Sequence, residues 1–259
     1  MFCLVLGIWS LVIPCSSAYA LSINIDPSNI HITLKPGASN SQEILIQNLS
    51  SEKIKIRSYA EDWIYAPDGS KIFMKPGSSA YSCSSWIKLE QEKFELAPKE
   101  GKKVKFTISS PSNASGGFVS VIFFEAVIEK YEGIAVSGRI GTIVYVDTEG
   151  DNRRAGEIKD FSALTSEEGK PLMFNISFNN KGNSYINARS NIKITDNGKT
   201  VLETRASDIN TLPGDTKAST LSINKTLKEG NYSAQVELSF DDKTLRSQTN
   251  FKINKSPRK

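Results

Sequence analysis

Two β-sandwiches in tandem, with no helical layer, are what this sequence of 259 residues predicts. Three observations carry the prediction. Alternating apolar and polar residues fill the chain after residue 21, turn signals recur at intervals of about eight to twelve residues, and no window keeps a helical period. The chain restarts its strand spacing once, after a polar stretch near its middle, which divides it into two units of a size that can each bury a core.

The elements follow in order. Phe2 to Ile13 is a continuous apolar run, shorter than a bilayer crossing needs. Pro14, small residues and Ala18-Tyr19-Ala20 come next, the A-x-A pattern of a secretory leader. Residues 1–20 are therefore expected to be a cleaved signal peptide, with Leu21 as the new N-terminus and an exported product, periplasmic or secreted to the cell surface. No later segment is long and apolar enough to anchor it. The first unit, 21–147, opens with Ile30, Ile32 and Leu34 alternating before Pro36-Gly37. EILIQNL and KIKIRSYAEDWIY follow, and Pro67-Asp68-Gly69 closes a hairpin into KIFM. WIKLE, KFEL and KKVKFTI then lead to two long strands between Gly116 and Asp147, joined by a charged turn at Glu129 to Glu132.

Those two strands are the most informative part of the chain. The first is apolar on both faces: Phe118, Ile122 and Phe124 point one way, Val119, Val121 and Phe123 the other. A sandwich strand needs one apolar face, so the second wants a cover: long loops, the neighbouring unit or another protein. The second strand sets Ile134, Val136, Ile140, Thr142, Val144 and Val146 on one face. Ala135, Ser137, Arg139, Gly141, Ile143 and Tyr145 form a more mixed opposite face.

Residues 148–156 read as a polar linker, exposed and cleavable at Arg153-Arg154. The second unit, 157–254, runs EIKDFSAL, LMFNISF, SNIKITD, an Asn197-Gly198 type I′ turn, TVLETRA, STLSINKTL, NYSAQVELSF and LRSQTNFKIN. Tyr232 sits where a tyrosine corner belongs. Residues 255–259, with Lys255, Arg258 and Lys259, are a short basic tail.

Composition removes whole classes of chemistry. Three cysteines become one, Cys83, once the leader leaves, so no internal disulfide can form. His31 is the only histidine and lies in the alternating strand IHITL, which rules out a His/Cys metal cluster and makes hydrolase triads implausible. No phosphate loop, dinucleotide fingerprint or nucleophile elbow occurs. A net charge of +4 with interleaved lysines and glutamates gives no nucleic-acid patch. No catalytic residue, metal or cofactor is expected, and the protein is not expected to be an enzyme.

From INIDPSNIHITLKPG through SSWIKLEQEKFELAPKEGKKVKFTI to the long strand GRIGTIVYVD, then a linker and a second sandwich, the chain after its leader resembles the PapD-like periplasmic pilus-assembly chaperones. The resemblance implies two immunoglobulin-like β-sandwich domains set at an angle, with a client groove in the cleft. It implies pilin-like or other exported subunits as partners, with an outer-membrane usher beside them. In such proteins the last strand of the first domain lends alternating side chains to an incomplete subunit. Here Ile134, Val136, Ile140, Thr142 and Val144 would be that client-binding series; the same residues could equally complete the domain's own core. The family also anchors its client with an arginine on the first strand and a lysine on the last, positions that fall near Asn29 and Gly141, neither of them basic. Arg139, Arg153 and Arg154 are the substitute anchors. Two readings without chaperone activity stay beside this one: a structural or adhesive envelope protein, and a carbohydrate-binding module stacking sugars on Trp63, Tyr65 and Trp86.

Overall fold

The computed structural model describes residues 21–66, 68–129 and 135–255. Residues 1–20, on which the expected signal peptide falls, Pro67, most of the charged turn with Ile134, and the tail residues Arg258 and Lys259 lie outside them. Among the described residues the chain is strand and turn throughout, apart from one 3-10 turn at Ser84–Trp86, and no helix is long and apolar enough to cross a membrane.

The first sandwich holds β1 (Ile23–Asp26), β2 (Asn29–Leu34), β3 (Ser39–Asn48), β4 (Ile54–Tyr65), β5 (Lys71–Met74), β6 (Ile87–Leu89), β7 (Lys93–Leu96), β8 (Gly101–Ser109), β9 (Gly117–Glu129) and β10 (Ala135–Thr148). One sheet runs β1–β3–β8–β6, the other β2–β10–β9–β4–β5 with β7 also on β4. Alternation in the sequence becomes alternation in burial: Ile44 and Ile46 from β3, Phe106 and Ile108 from β8, and Ile122 and Phe124 from β9 meet in one core. Cys83 is wholly buried at its margin, and burial pushes its thiol above the ordinary value, so it stays protonated and inert.

The second sandwich holds β11 (Gly156–Ala163), β12 (Leu172–Asn180), β13 (Ile186–Asp196), β14 (Lys199–Arg205), β15 (Ile209–Thr211), β16 (Thr216–Ile223), β17 (Gly230–Phe240) and β18 (Lys243–Ile253). Its sheets are β11–β12–β16 and β14–β13–β17–β18, with β15 on β13. Leu172, Phe174, Ile176 and Phe178 of β12 face Ile192, Ile194, Val236 and Leu238 across the core. Asn197 and Gly198 take φ of 47° and 81°, the two left-handed residues a type I′ turn requires. The Tyr232 hydroxyl donates to the Lys228 carbonyl at 3.1 Å, the local bond of a tyrosine corner.

The stretch between β10 and β11 is not the loose polar linker its composition suggests. Asn183 holds it three times: its peptide N–H donates to the Arg153 carbonyl (2.9 Å), its side-chain amide donates to the Asp151 carbonyl (2.8 Å), and its side-chain oxygen accepts from the Arg153 N–H (2.7 Å). Backbone bonded in this way must open before a protease can cut it. Trypsin is therefore expected to cleave slowly at Arg153-Arg154 in the native protein. Asn183→Ala, which removes two of the three bonds, should speed that cut by roughly tenfold or more, at about 1 kcal/mol for each bond lost. Equal cleavage rates in a digestion time course would refute it.

Candidate functional site

β10 is paired along one side and half-open along the other. β9 runs antiparallel to it from Ala135 to Asp147, whereas β2 lies parallel beside Ile143 to Thr148 only. The closed half begins where the Thr142 hydroxyl donates to the Pro27 carbonyl (2.8 Å) and the Ile143 N–H donates to the Ser28 carbonyl (3.0 Å). Main-chain groups of a strand alternate sides. Since the N–H of Ile143 faces β2, those of Ser137, Arg139 and Gly141 face the same way, and no strand among the described residues pairs with them. The result is a seven-residue open edge, 135–141, on the last strand of the first sandwich.

The two faces of β10 serve different cores. On the even face Thr142 and Val144 are wholly buried and belong to the first sandwich's own interior, while Ile140 is half-buried against the same core and Val136 is half-buried. Within the expected client series, then, Val136 and Ile140 flank the open edge, Thr142 is closed off by Pro27 and Val144 by β2, and Ile134 lies outside the described residues. On the odd face Ile143 and Tyr145 join Val119, Val121, Phe123 and Trp63 in a second apolar cluster, covered by Leu212 and Tyr185 of the second sandwich. Here is the cover that the doubly apolar β9 asked for: aromatic side chains of its own domain together with Leu212 and Tyr185 of the neighbouring one. Tyr145 and Tyr185 meet at 4.4 Å between ring centroids.

Electrostatics at this junction divide the three arginines. Arg154 donates through Nε to the Tyr185 carbonyl (2.8 Å) and forms ion pairs with Asp147 and, at 3.5 Å, with Asp241, so its guanidinium clamps the two sandwiches together. Arg153 has its backbone in the Asn183 latch and an exposed side chain. Arg139 stands beside the open edge. Its Nη1 donates to Glu61 (3.1 Å) and to the Tyr59 hydroxyl (3.3 Å), and its guanidinium lies 4.1 Å from the Phe123 ring and 5.4 Å from that of Phe73. Those contacts hold its charge in place next to Gly141. Gly141 itself explains why no lysine stands there: a Cβ would come within 2.7 Å of Val121 and 2.9 Å of Phe123, so the apolar cluster fills the space a side chain would need.

His31 stacks on Tyr145 at 4.5 Å between centroids, and burial, opposed by Asp147 and reinforced by Arg154, lowers its pKa below 6.5. His31 is exposed over much of its surface, yet it binds its proton less tightly in the folded chain than in the unfolded one, so stability is penalised progressively as pH falls below that value. His31→Gln should flatten the decline in melting temperature between about pH 7 and pH 5; an unchanged slope would exclude this histidine as its source.

The sugar-stacking platform does not assemble. Trp63 is wholly buried and donates to the Ser120 carbonyl (3.2 Å), Tyr65 meets it edge-on at 5.1 Å, and Trp86 packs on Phe118. No group of three or more His, Cys, Asp or Glu among the described residues is placed to hold a metal. Sequence reasoning missed the junction residues Tyr185, Leu212 and Asn183. One signal was available in the apolar pair Ile143 and Tyr145, which marks the end of the odd face as covered.

No protein-family model matches the sequence, and no curated protein does either. Among solved structures the chain is similar to the class 5 fimbriae chaperone CfaA, at 15% identity and a TM-score of 0.49 over 92% of this chain and 100% of that one. It is similar to a CsuC–CsuE chaperone–tip adhesion subunit pre-assembly complex of Acinetobacter baumannii pili, at 11% identity and a TM-score of 0.47 over 91% and 100%. The E. coli chaperone DraB matches at 12% identity and a TM-score of 0.43 over 91% and 97%. In each of the three the likeness runs over about nine-tenths of this two-domain all-β chain.

Proposed function

We propose that this protein is an exported chaperone that binds pilin-like or other surface subunits by β-strand addition along the open half of β10. One observation carries the reading: Ser137, Arg139 and Gly141 present unpaired main-chain donors and acceptors on the strand whose other half is closed by β2. An exposed edge of this kind is a hazard that proteins ordinarily cover or blunt, and a transient partner strand is a cover. Val136 and Ile140 contribute side chains beside the edge, and Arg139, pre-oriented by Glu61 and Tyr59, supplies a fixed positive charge to orient the client. Each residue ordered in the client costs about 1–2 kcal/mol, and each apolar side chain fully buried returns about 1.5–3 kcal/mol. The strip can therefore hold an extended segment only if both main-chain bonds and side chains engage. An outer-membrane usher would be the second partner, and the periplasm the compartment.

The decisive substitution is Ser137→Pro. Proline removes one outward N–H from the open edge and leaves the ladder to β9 untouched. Subunit capture from the exported fraction should be lost, with the melting temperature within a few degrees of the Ser137→Ala control. Capture that survives in the proline variant would sink the strand-addition reading.

A further inference from the structure

The even face of β10 has a missing tooth. Between Val136 and Ile140 stands Gly138, and its partner across the ladder is Ala126, wholly buried and almost as small. The two together leave a notch in the floor of the sandwich beside the open edge. That notch is occupied: Leu21 reaches into it from the opposite sheet, with its Cδ2 only 3.2 Å from where a Gly138 Cβ would stand. Leu21 packs, half-buried, on the same core as Ile140. It precedes β1, and its neighbour Ser22 is tied to the residues just after β3, its carbonyl accepting from the Leu49 N–H (2.8 Å) and the Ser50 hydroxyl (3.3 Å) and its own N–H donating to the Ser50 hydroxyl (2.9 Å).

We propose that Leu21 is a resident plug in a side-chain subsite, and that a client strand adding to β10 replaces it with a bulky aliphatic or aromatic side chain of its own. This rests on the strand-addition reading and deepens it. The strand that lends side chains at Val136 and Ile140 receives one at Gly138, so the subsite selects what the client carries at that register. The plug also taxes binding, because a client meets only the fraction of molecules in which Leu21 has withdrawn.

The test uses the exported protein and short fluorescent peptides of alternating threonine and valine, with leucine, phenylalanine or alanine at the central inward position. Anisotropy titrations should show leucine and phenylalanine binding roughly tenfold or more tighter than alanine. Leu21→Ala should tighten binding by about three- to tenfold by removing the competitor, whereas a purely structural leucine would leave affinity unchanged or lower it. Gly138→Val, which fills the notch from within, should abolish the preference for a large central residue. Should Leu21→Ala fold poorly, a methyl-labelled wild-type protein gives the same answer, since the Leu21 methyl resonances must move on saturation with the leucine peptide. Peptides that bind alike whatever their central residue, or Leu21 methyls that stay put at saturation, overturn the plug while leaving strand addition standing. If no peptide binds wild type or Leu21→Ala, strand addition fails and the plug fails with it.

Discussion

Val144→Asp is expected to unfold the first sandwich, with a loss of about 4 kcal/mol or more. The valine is wholly buried between the sheets on the half of β10 that β2 covers, so a carboxylate there has neither water nor a partner. Ile140→Asp, four residues back beside the open half, should cost far less, about 1–2 kcal/mol, because its side chain already reaches solvent and a charge can turn outward. Urea denaturation followed by tryptophan fluorescence would separate the two, and both variants should be read for subunit capture. Loss of capture without loss of fold at Ile140, against loss of fold at Val144, is the expected pattern. Equal destabilisation at the two positions would mean that the strand is core along its whole length.

The second large effect belongs to Trp63. Its truncation to alanine should cost about 3–5 kcal/mol, the usual range for a buried tryptophan. It belongs to the junction cluster, packs edge-on against Tyr65 and Tyr145, and gives its indole N–H to the Ser120 carbonyl. The cavity would open between the sandwiches rather than inside one, so the loss should reach beyond the first domain. Small-angle scattering should show a broader distribution of domain orientations in Trp63→Ala, even under conditions where both sandwiches remain folded. An unchanged scattering profile would place Trp63 in the first sandwich alone.

Much of this was legible in the residues. Ile30, Ile32 and Leu34 alternate and are buried in alternation; Asn197-Gly198 names its turn; the doubly apolar β9 asks for a cover and has one. What the sequence could not rank was the role of each residue along the even face of β10. Parity says which side chains share a face, but not where a neighbouring strand stops, and it is the end of β2 at Asn29 that divides Ile140 from Val144. The junction was invisible for a related reason. Arg154, Tyr185, Asn183 and Leu212 each look like ordinary surface or strand residues until two sheets far apart in the chain are laid together. Arg154 illustrates this: read as a free cation in a linker, it spends its donors on Asp147, Asp241 and the Tyr185 carbonyl.

Cys83, wholly buried at the edge of the first core, makes the protein its own clock. A thiol that burial keeps protonated cannot be alkylated until the structure around it opens. With no other cysteine among the described residues, the rate at which Cys83 accepts a thiol reagent counts openings of the first sandwich directly. Added at saturation, a client that stapled the open edge would slow that count; one that merely touched the surface would leave it running at the same pace.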